Sequence, residues 1–546
     1  GRDVSRSTLA APGGTPQGRA RETEAQTDAG GAAPARAGLV LATLVLVATV
    51  ANLNLSVANI ALPSIARAFD SSQSMLDLIA VGYSLGLAAS VLYLGALGDR
   101  YGRKLMLVLG TALAIPASLL AAFAPSDSVL LLARVVGGLA AGMAFPTTLA
   151  LITALWDGPA RVRSIALWSA VGGAMAALGP LCAGLLMSRW WWGSVFLLTL
   201  PLAVLAVALS ARLVPAHVNE TSERVDHLGG ALSVVMVGAA VLAINLVTAP
   251  AMRSAAVALG VLAVAGVVAF AVRQKRAPNP LFDLHVAARR VFWVAACAGI
   301  IVFGALMAAV FVGQQFVQNV LGYTPLEAGL VALPAAAFMI LIAPRSARLV
   351  DAYGARVTLL LGYLFCFLAF VTMLLLWRET AGVWAVLLAF SLMGVGVALA
   401  GTPASHSLTG SVPVRRAGMA SATADLQRDL GGAVMQSIFG ALLTAGYASA
   451  MAASIAAMGK ASQIGDATQA QLTKSFAGAE EIAAAYPEYA GQITGAARSA
   501  FLHGDLWAYG AGLLAVGAGA VIVFLLFPRR DAELELLAAY REEDGD

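Results

Sequence analysis

The chain reads as an all-α membrane protein of fourteen helical spans, arranged as two six-helix bundles with two extra central transmembrane helices between them. Three observations carry that reading. Of 546 residues, 60% are hydrophobic and 12% charged, and the mean hydropathy is +0.82; no soluble core hides that much apolar surface, so it belongs in lipid. Apolar runs of about 20 residues, the length that crosses a bilayer as a helix, recur along the whole chain. The cations between those runs crowd into alternate loops, which marks one face as cytoplasmic, makes the span count even and places both termini inside.

Residues 1–36 are rich in Ala, Gly, Arg, Thr and Pro without apolar periodicity and are expected to form a disordered cytoplasmic tail. The first bundle occupies 37–214, with spans near Ala37 to Leu62, Met75 to Leu97, Leu105 to Ala124, Val129 to Ile152, Ser164 to Met187 and Ser194 to Leu213. Residues 215–291 hold two polar linkers and the extra spans, Leu228 to Val247 and Ala255 to Val272. The second bundle, 292–527, places its spans near Phe292 to Leu321, Ala328 to Ala343, Val357 to Trp377, Val383 to Thr402, Gly418 to Tyr447 and Leu506 to Phe527. Within it, 448–503 is a long external segment in which Ile482, Tyr486, Tyr489 and Ile493 recur at helical spacing. That segment lies on the membrane surface, caps the external mouth or is a solvated loop. Residues 528–546 form a second cytoplasmic tail.

The cations sort by loop. Arg100, Arg103, Lys104, Arg212, Arg273, Arg276, Arg289, Arg345, Arg356, Arg415 and Arg529 share one face, whereas the short loops opposite hold Arg67, Arg189, Arg253 and Arg378. A formal net charge of +4 distributed this way serves orientation, not nucleic-acid binding. Cys182, Cys297 and Cys366 all sit within apolar runs, so neither a disulfide framework nor a thiolate metal site is expected.

After the second span comes the decapeptide Gly95-Ala96-Leu97-Gly98-Asp99-Arg100-Tyr101-Gly102-Arg103-Lys104. Its glycines suit a tight turn, and its cations stay in the aqueous layer at the membrane face. Leu349-Val350-Asp351-Ala352-Tyr353-Gly354-Ala355-Arg356 echoes it after the tenth span. Two halves that each carry this turn after their second helix are parallel repeats, the way many transporters are built.

The decapeptide resembles the G-x-L-x-D-R-x-G-R-K signature of the major facilitator superfamily. Asn54 to Pro63 is similar to the D-x-T-V-V-N-V-A-L-P pattern of its fourteen-span drug:proton antiporters, with Asn54 in place of the acid. Arg134-Val135-Val136-Gly137-Gly138 resembles R-x-x-Q-G, and Leu178-Gly179-Pro180-Leu181-Cys182-Ala183-Gly184 resembles the G-P-x-x-G-G antiporter motif. The resemblance implies a proton-transfer role for Arg134, an antiporter role for Gly179, Pro180 and Gly184, and a cavity position for Tyr83. It also implies that Gly95, Asp99, Arg100, Gly102, Arg103 and Lys104 form a conformational latch, with Asp99 facing the start of the thirteenth span near Val414. An acid at a helix N-terminus is favourable by up to about 1 kcal/mol.

Physical reading of the residues adds to this. A guanidinium inside an apolar span, as at Arg134, faces an internal cavity or a partner. The glycines and Pro180 suit close helix packing with a bend. In the thirteenth span Asp425, Arg428 and Asp429 stand at membrane depth, the first about 16 Å and the second about 21 Å from Val414 in a core of about 30 Å. Asp425 and Arg428 are spaced to pair, while Asp425 and Asp429 share a face and repel. Two acids competing for one cation make a candidate proton carrier, or else a structural salt bridge between bundles. Gln314, Gln315, Gln318 and Asn319, with Asn54 and Tyr83, are candidates for a substrate cavity; interhelical hydrogen bonding is the alternative for the amides. Asp77 reads as the fourth member of an N-capping box with Ser74 more than as a coupling site, and His406, in Ser405-His406-Ser407, as a loop histidine more than a catalytic one.

No G-x-x-x-x-G-K-[ST] appears, which argues against direct ATP coupling, and no nucleophile, base and acid recur at a workable spacing for an enzyme. The expected function is proton-coupled secondary active export of amphipathic or cationic compounds by alternating access, from a monomer in the cytoplasmic membrane, with no cofactor and no metal. Export of lipids or endogenous metabolites on the same fold, and a non-transporting membrane sensor, are the rival readings.

Overall fold

The computed structural model describes residues 36–156, 158–216, 218, 223–413, 417–459 and 463–545. The expectations for the tail 1–35, and for the start of the thirteenth span at 414–416, lie outside those residues. Among the described residues every regular element is helical, and thirteen helices are long and apolar enough to cross a membrane. The thirty-residue helix Gly158–Met187 fills the remaining expected position, the fifth.

The first span is two helices, α1 (Ala37–Ser56) and α2 (Ala58–Phe69), broken at Val57. Then follow α3 (Gln73–Tyr101), α4 (Arg103–Ala122), α5 (Asp127–Leu155) and α6 (Gly158–Met187). The short α7 (Ser194–Leu197) leads into α8 (Leu200–Leu213). The extra pair is α9 (His227–Leu246) and α10 (Arg253–Arg276). After the one-turn α11 (Leu284–Ala287), the second half comprises α12 (Arg290–Gln315), running into a π turn at Phe316–Val320, then α13 (Pro325–Tyr353), α14 (Ala355–Leu376), α15 (Val383–Gly410) and α16 (Ala417–Ala457). The last spanning helix is α19 (Ala490–Leu526).

Glycine makes the motif turns. Gly102, at φ 131°, joins α3 directly to α4, and Gly354, at φ 92°, joins α13 to α14. Side-chain-bearing residues rarely adopt such φ values, so the echo seen in the sequence is one backbone device used twice. The end of the molecule carrying these turns, with Arg100, Arg212, Arg273 and Arg356, is its basic face; the opposite end is here called the far face.

Several expected boundaries move. The tenth span extends from Ala328–Ala343 to the full α13, and the fourteenth begins sixteen residues before Leu506. Both α16 and α19 outrun the bilayer at the far face and pack on each other there, because Gly446 and Gly504 let their backbones touch. Between them, α17 (Asp466–Lys474) and α18 (Phe476–Ala485) cap the far face. Arg67 pairs with Glu480 at 2.8 Å and Lys474 with Asp70 at 3.0 Å, while the Tyr447 hydroxyl donates to the Leu472 and Ser475 carbonyls. The expected helical stripe is interrupted instead: the helix stops at Ala485, and Tyr486 and Tyr489 are exposed. The segment after 527 holds a docked helix, α20 (Arg530–Asp544). Arg289 grips Asp544 through two nitrogens, at 2.5 and 3.0 Å. His406 lies in the last turns of α15, not in a loop, and is exposed.

The halves meet along two seams, α3 against α16 and α6 against α13, and α9 packs on both α3 and α16.

Candidate transport site

Arg134, on α5, is 3% exposed. Its Nη1 donates to the Asn54 carbonyl at 2.8 Å and its Nε to the Ile79 carbonyl at 3.3 Å. The first acceptor is free because α1 ends at Ser56, and a helix end leaves its last carbonyls without intrahelical partners. The guanidinium also stands 5.0 Å from the Tyr83 ring and 5.9 Å from the Phe196 ring, a geometry in which aromatic faces attract a cation. Tyr83 donates to the Ala51 carbonyl at 3.2 Å, and the Asn54 side chain accepts from Thr199 at 2.8 Å. These groups line a small cavity with Ala117, Ser118 and Gly137. It lies inside the first half, so Asn54 and Tyr83 do not share a space with the amides of α12.

The charged cluster on α16 faces the first half. Arg428 places its guanidinium 4.7 Å from the ring of Phe145 on α5, and Leu426 packs on the cluster containing Ala51, Tyr83 and Leu87. Arg428 pairs with Asp429, Nε to Oδ1 at 3.4 Å. The spacing argument favoured Asp425 instead. The guanidinium is shared between Asp429 and the ring of Phe145. Asp429 is 1% exposed and its Oδ2 has no hydrogen-bond partner; Asp425 makes no hydrogen bond or ion pair with any described residue.

At the far face the amides of α12 and of its π turn bind neighbouring helices, two of them across to the first half. Gln315 accepts from Gln73 of α3 at 2.9 Å, Gln318 donates to the Ile60 carbonyl of α2 at 3.0 Å, and Gln314 donates to the Ala328 carbonyl of α13 at 3.1 Å. Gln314, Gln315, Gln318 and Asn319 are all buried, and the π turn, with its extra residue per turn, places Gln318 and Asn319. Gln73, Gln315 and Asn319 border a second small cavity beside Ser475 and Glu480.

Two of the antiporter-motif residues, Pro180 and Gly184, stand at the other seam, whereas Gly179 faces α1 of its own half, where a methyl would meet the Ser56 hydroxyl. A methyl group on Gly184 would come within 2.7 Å of the Pro325 carbonyl oxygen, and one on Gly329 within 2.6 Å of the Pro180 carbonyl oxygen, so α6 and α13 cross with backbones in contact. At the basic face Asp99 accepts from Arg103 at 3.1 and 3.2 Å, and Arg103 also donates to the Val218 carbonyl. Arg100 lies over the Tyr101 ring at 5.7 Å, and a side chain at Gly95 would meet open space. The expected partner of Asp99, near Val414, is outside the described residues.

The sequence reading gave one acid the wrong role and missed another. Asp77 does not cap α3, since Ser72 is the N-cap and accepts from the Met75 N–H; it reaches α16 instead, as described below. Asp505, on α19, is fully buried, and neither carboxylate oxygen has a hydrogen-bond partner. It stood just outside the expected fourteenth span, so its membrane setting went unnoticed. The available signal for both was an acid adjoining an apolar run.

Ionisable groups buried beside the seam between two bundles of membrane-spanning helices are of the kind a membrane transporter carries. The chain belongs to the Major Facilitator Superfamily, whose family model matches residues 44–436. It is 32% identical to the multidrug efflux pump LfrA of Mycolicibacterium smegmatis, over 90% of this chain and 96% of that protein. It is 34% identical to the multidrug resistance protein Stp of Mycobacterium tuberculosis, over 71% of this chain and 72% of that one. Among solved structures, a bacterial homolog of the human lysosomal transporter Spinster superposes with a TM-score of 0.60 at 16% identity, covering 92% of this chain and 97% of that one.

Proposed function

We propose that the chain is a secondary active exporter of amphipathic or cationic small molecules, driven by proton uptake and working by alternating access. The observation that carries this reading is the cluster Asp425, Arg428 and Asp429, three ionisable side chains close together on α16, of which Arg428 faces Phe145 of the other half and pairs with Asp429. Charges at such a place are expensive to keep in a membrane and are normally functional. The relatives named as multidrug pumps support the cargo class. The basic face is cytoplasmic by its cations, so the far face is external and both termini are inside. On this reading 37–214 and 292–527 are the rocking bundles of a monomer, and 215–291 carries the extra pair.

Asp425 and Asp429 share one cation, so the cluster is net negative with both ionised and neutral with one protonated. Protonation weakens the hold on Arg428 and shifts the balance between inward-facing and outward-facing states. Arg134 takes part in proton transfer from inside the first half, and the segment Gly95 to Lys104 latches the cytoplasmic side through Asp99. The Asn at position 54 favours one second reading, export of a lipid or endogenous metabolite.

Everted vesicles given a compound panel with and without a pH gradient test the cargo and the coupling together. Wild-type vesicles accumulate cationic amphipaths only with the gradient, and lipid transfer in their place selects the second reading. Proteoliposomes carrying Asp425→Asn with Asp429→Asn should lose proton-coupled exchange by at least about tenfold, equivalent to about 1.4 kcal/mol; exchange at the wild-type rate would refute the role given to the pair.

A further inference from the structure

Asp77 sits on α3 at the far-face seam, 1% exposed. One oxygen accepts from Gln73 on its own helix at 3.0 Å; the other accepts from the Thr444 hydroxyl on α16, in the other half, at 2.8 Å. Gly440 of α16 abuts the carboxyl group so closely that a methyl there would lie 2.7 Å from its carbon. The acid is therefore enclosed by closure of the two halves. Gln73 also donates to Gln315 of α12, so a single network joins α3, α12 and α16.

We propose that Asp77 is a proton-binding residue of the far-face gate, and that the two halves close there only when its carboxyl group is neutral. The argument is one of charge and enclosure. Among the described residues the hydrogen-bonding partners of Asp77 are an amide and a hydroxyl, Gly440 abuts its carboxyl group, and no cation pairs with it. The ionisable residues on the surrounding elements at this end are Arg67 of α2 and Glu480 of α18, paired with each other, Glu481 of α18, which accepts from Gln471, Asp127 of α5, which accepts from Ser71, Arg134 of α5, whose guanidinium is held by the Asn54 and Ile79 carbonyls, and Asp505 of α19 beyond α16; Asp425, Arg428 and Asp429 lie further along α16 toward the basic face. The only ionisable side chains on α1, α4 and α9 are Arg103, Lys104 and His227, all at the basic face. A carboxylate enclosed this way is an uncompensated buried charge, which costs several kcal/mol in general. A neutral acid keeps both bonds: its carbonyl oxygen accepts from Gln73, and its O–H donates to Thr444, whose hydroxyl accepts as readily as it donates.

When the halves part at this end, Thr444 and Gly440 leave and the carboxyl group meets water, where it ionises. Closing then requires one proton from far-face water on Oδ2; no other bond is made or broken. The cavity bordered by Gln73, Gln315 and Asn319 adjoins the network on the side of Glu480 and offers that proton a polar approach. The step rests on the proton-driven reading for its place in the cycle, the return after substrate release.

The test measures the gate directly. Spin labels on Arg189→Cys at the end of α6 and Glu327→Cys at the start of α13, with Cys182, Cys297 and Cys366 replaced by serine, report the far-face separation in nanodiscs. As pH falls from about 8.5 to about 5.5, wild type should shift from a long to a short distance by a population factor of at least about ten. Asp77→Asn should hold the short distance throughout, and Thr444→Val, which keeps the acid but removes its partner, should move the transition to lower pH. A pH-independent wild-type distance, or an Asp77→Asn titration that overlays wild type, overturns the proposal. Asp425→Asn with Asp429→Asn separates the two readings. If it loses coupled exchange but keeps the gate titration, both stand; if wild type shows no proton-coupled exchange while the gate still titrates, only the coupling reading falls.

Discussion

A guanidinium buried in a helical bundle without a carboxylate must be satisfied by whatever its neighbours leave unpaired. For Arg134 those are two carbonyls and two ring faces. The break at Val57 supplies one of the carbonyls, so the kink in the first span and the buried cation depend on each other. Arg134→Gln keeps a donor but removes the charge and the second bond. We expect it to insert normally and to lose export by at least about tenfold, measured as initial rates normalised to protein in the membrane. Export at the wild-type rate would make the residue a packing element only. Asn54→Asp would set a carboxylate beside this site, and its effect on the pH profile of export reads whether the first half titrates.

At the scale of elements, the two seams differ in kind. Polar side chains hold α3 to α16 and α12 to its neighbours, whereas α6 meets α13 backbone to backbone. Glycine at 184 is required by that approach alone, because its own backbone is ordinary helix. Gly184→Leu should therefore fold and insert yet hold the far face apart, seen as a longer distance between the Arg189→Cys and Glu327→Cys labels and a slowed transport cycle. A wild-type distance in that variant would mean that α6 and α13 can slide to make room. The joints at Gly102 and Gly354 are the converse case, where the conformation itself demands glycine. Both were visible in the sequence, since a turn of one residue between two long apolar runs leaves few backbone solutions. The π turn at Phe316–Val320 was not visible, because nothing in a run of Gln, Phe and Val distinguishes it from plain helix.

For the whole molecule, helices outside the two bundles brace one seam and the second half. The extra pair lies along one seam, where Asn245 of α9 donates to Ser437 of α16 at 2.6 Å. At the basic face α20 straps the second half: Arg289 joins Asp544 and the Ser411 carbonyl and stacks on Tyr540 at 4.8 Å, while Arg530 donates to the carbonyls of Asp351 and Ala352. Removing residues 530–546 leaves Arg289 buried without its acids. The truncated chain should melt lower by about 2–4 °C in detergent, by fluorescence-detected unfolding, and should retain far-face closure. An unchanged melting point would show the strap to be without weight.

The sequence by itself determined the span count, the placement of the repeated turn, the family, and the clustering of the charges in α16, because these follow from apolar length, motif and local spacing. It did not determine which groups meet. In lipid a core-facing side chain and a lipid-facing one are equally apolar, so hydropathy cannot say which face of a span is inside. Arg428 meeting Phe145, the amides of Gln315 and Gln318 bridging to α3 and α2, and Asp77 reaching Thr444 all depend on contacts between residues far apart in the chain. Only the packing of one half against the other decided them.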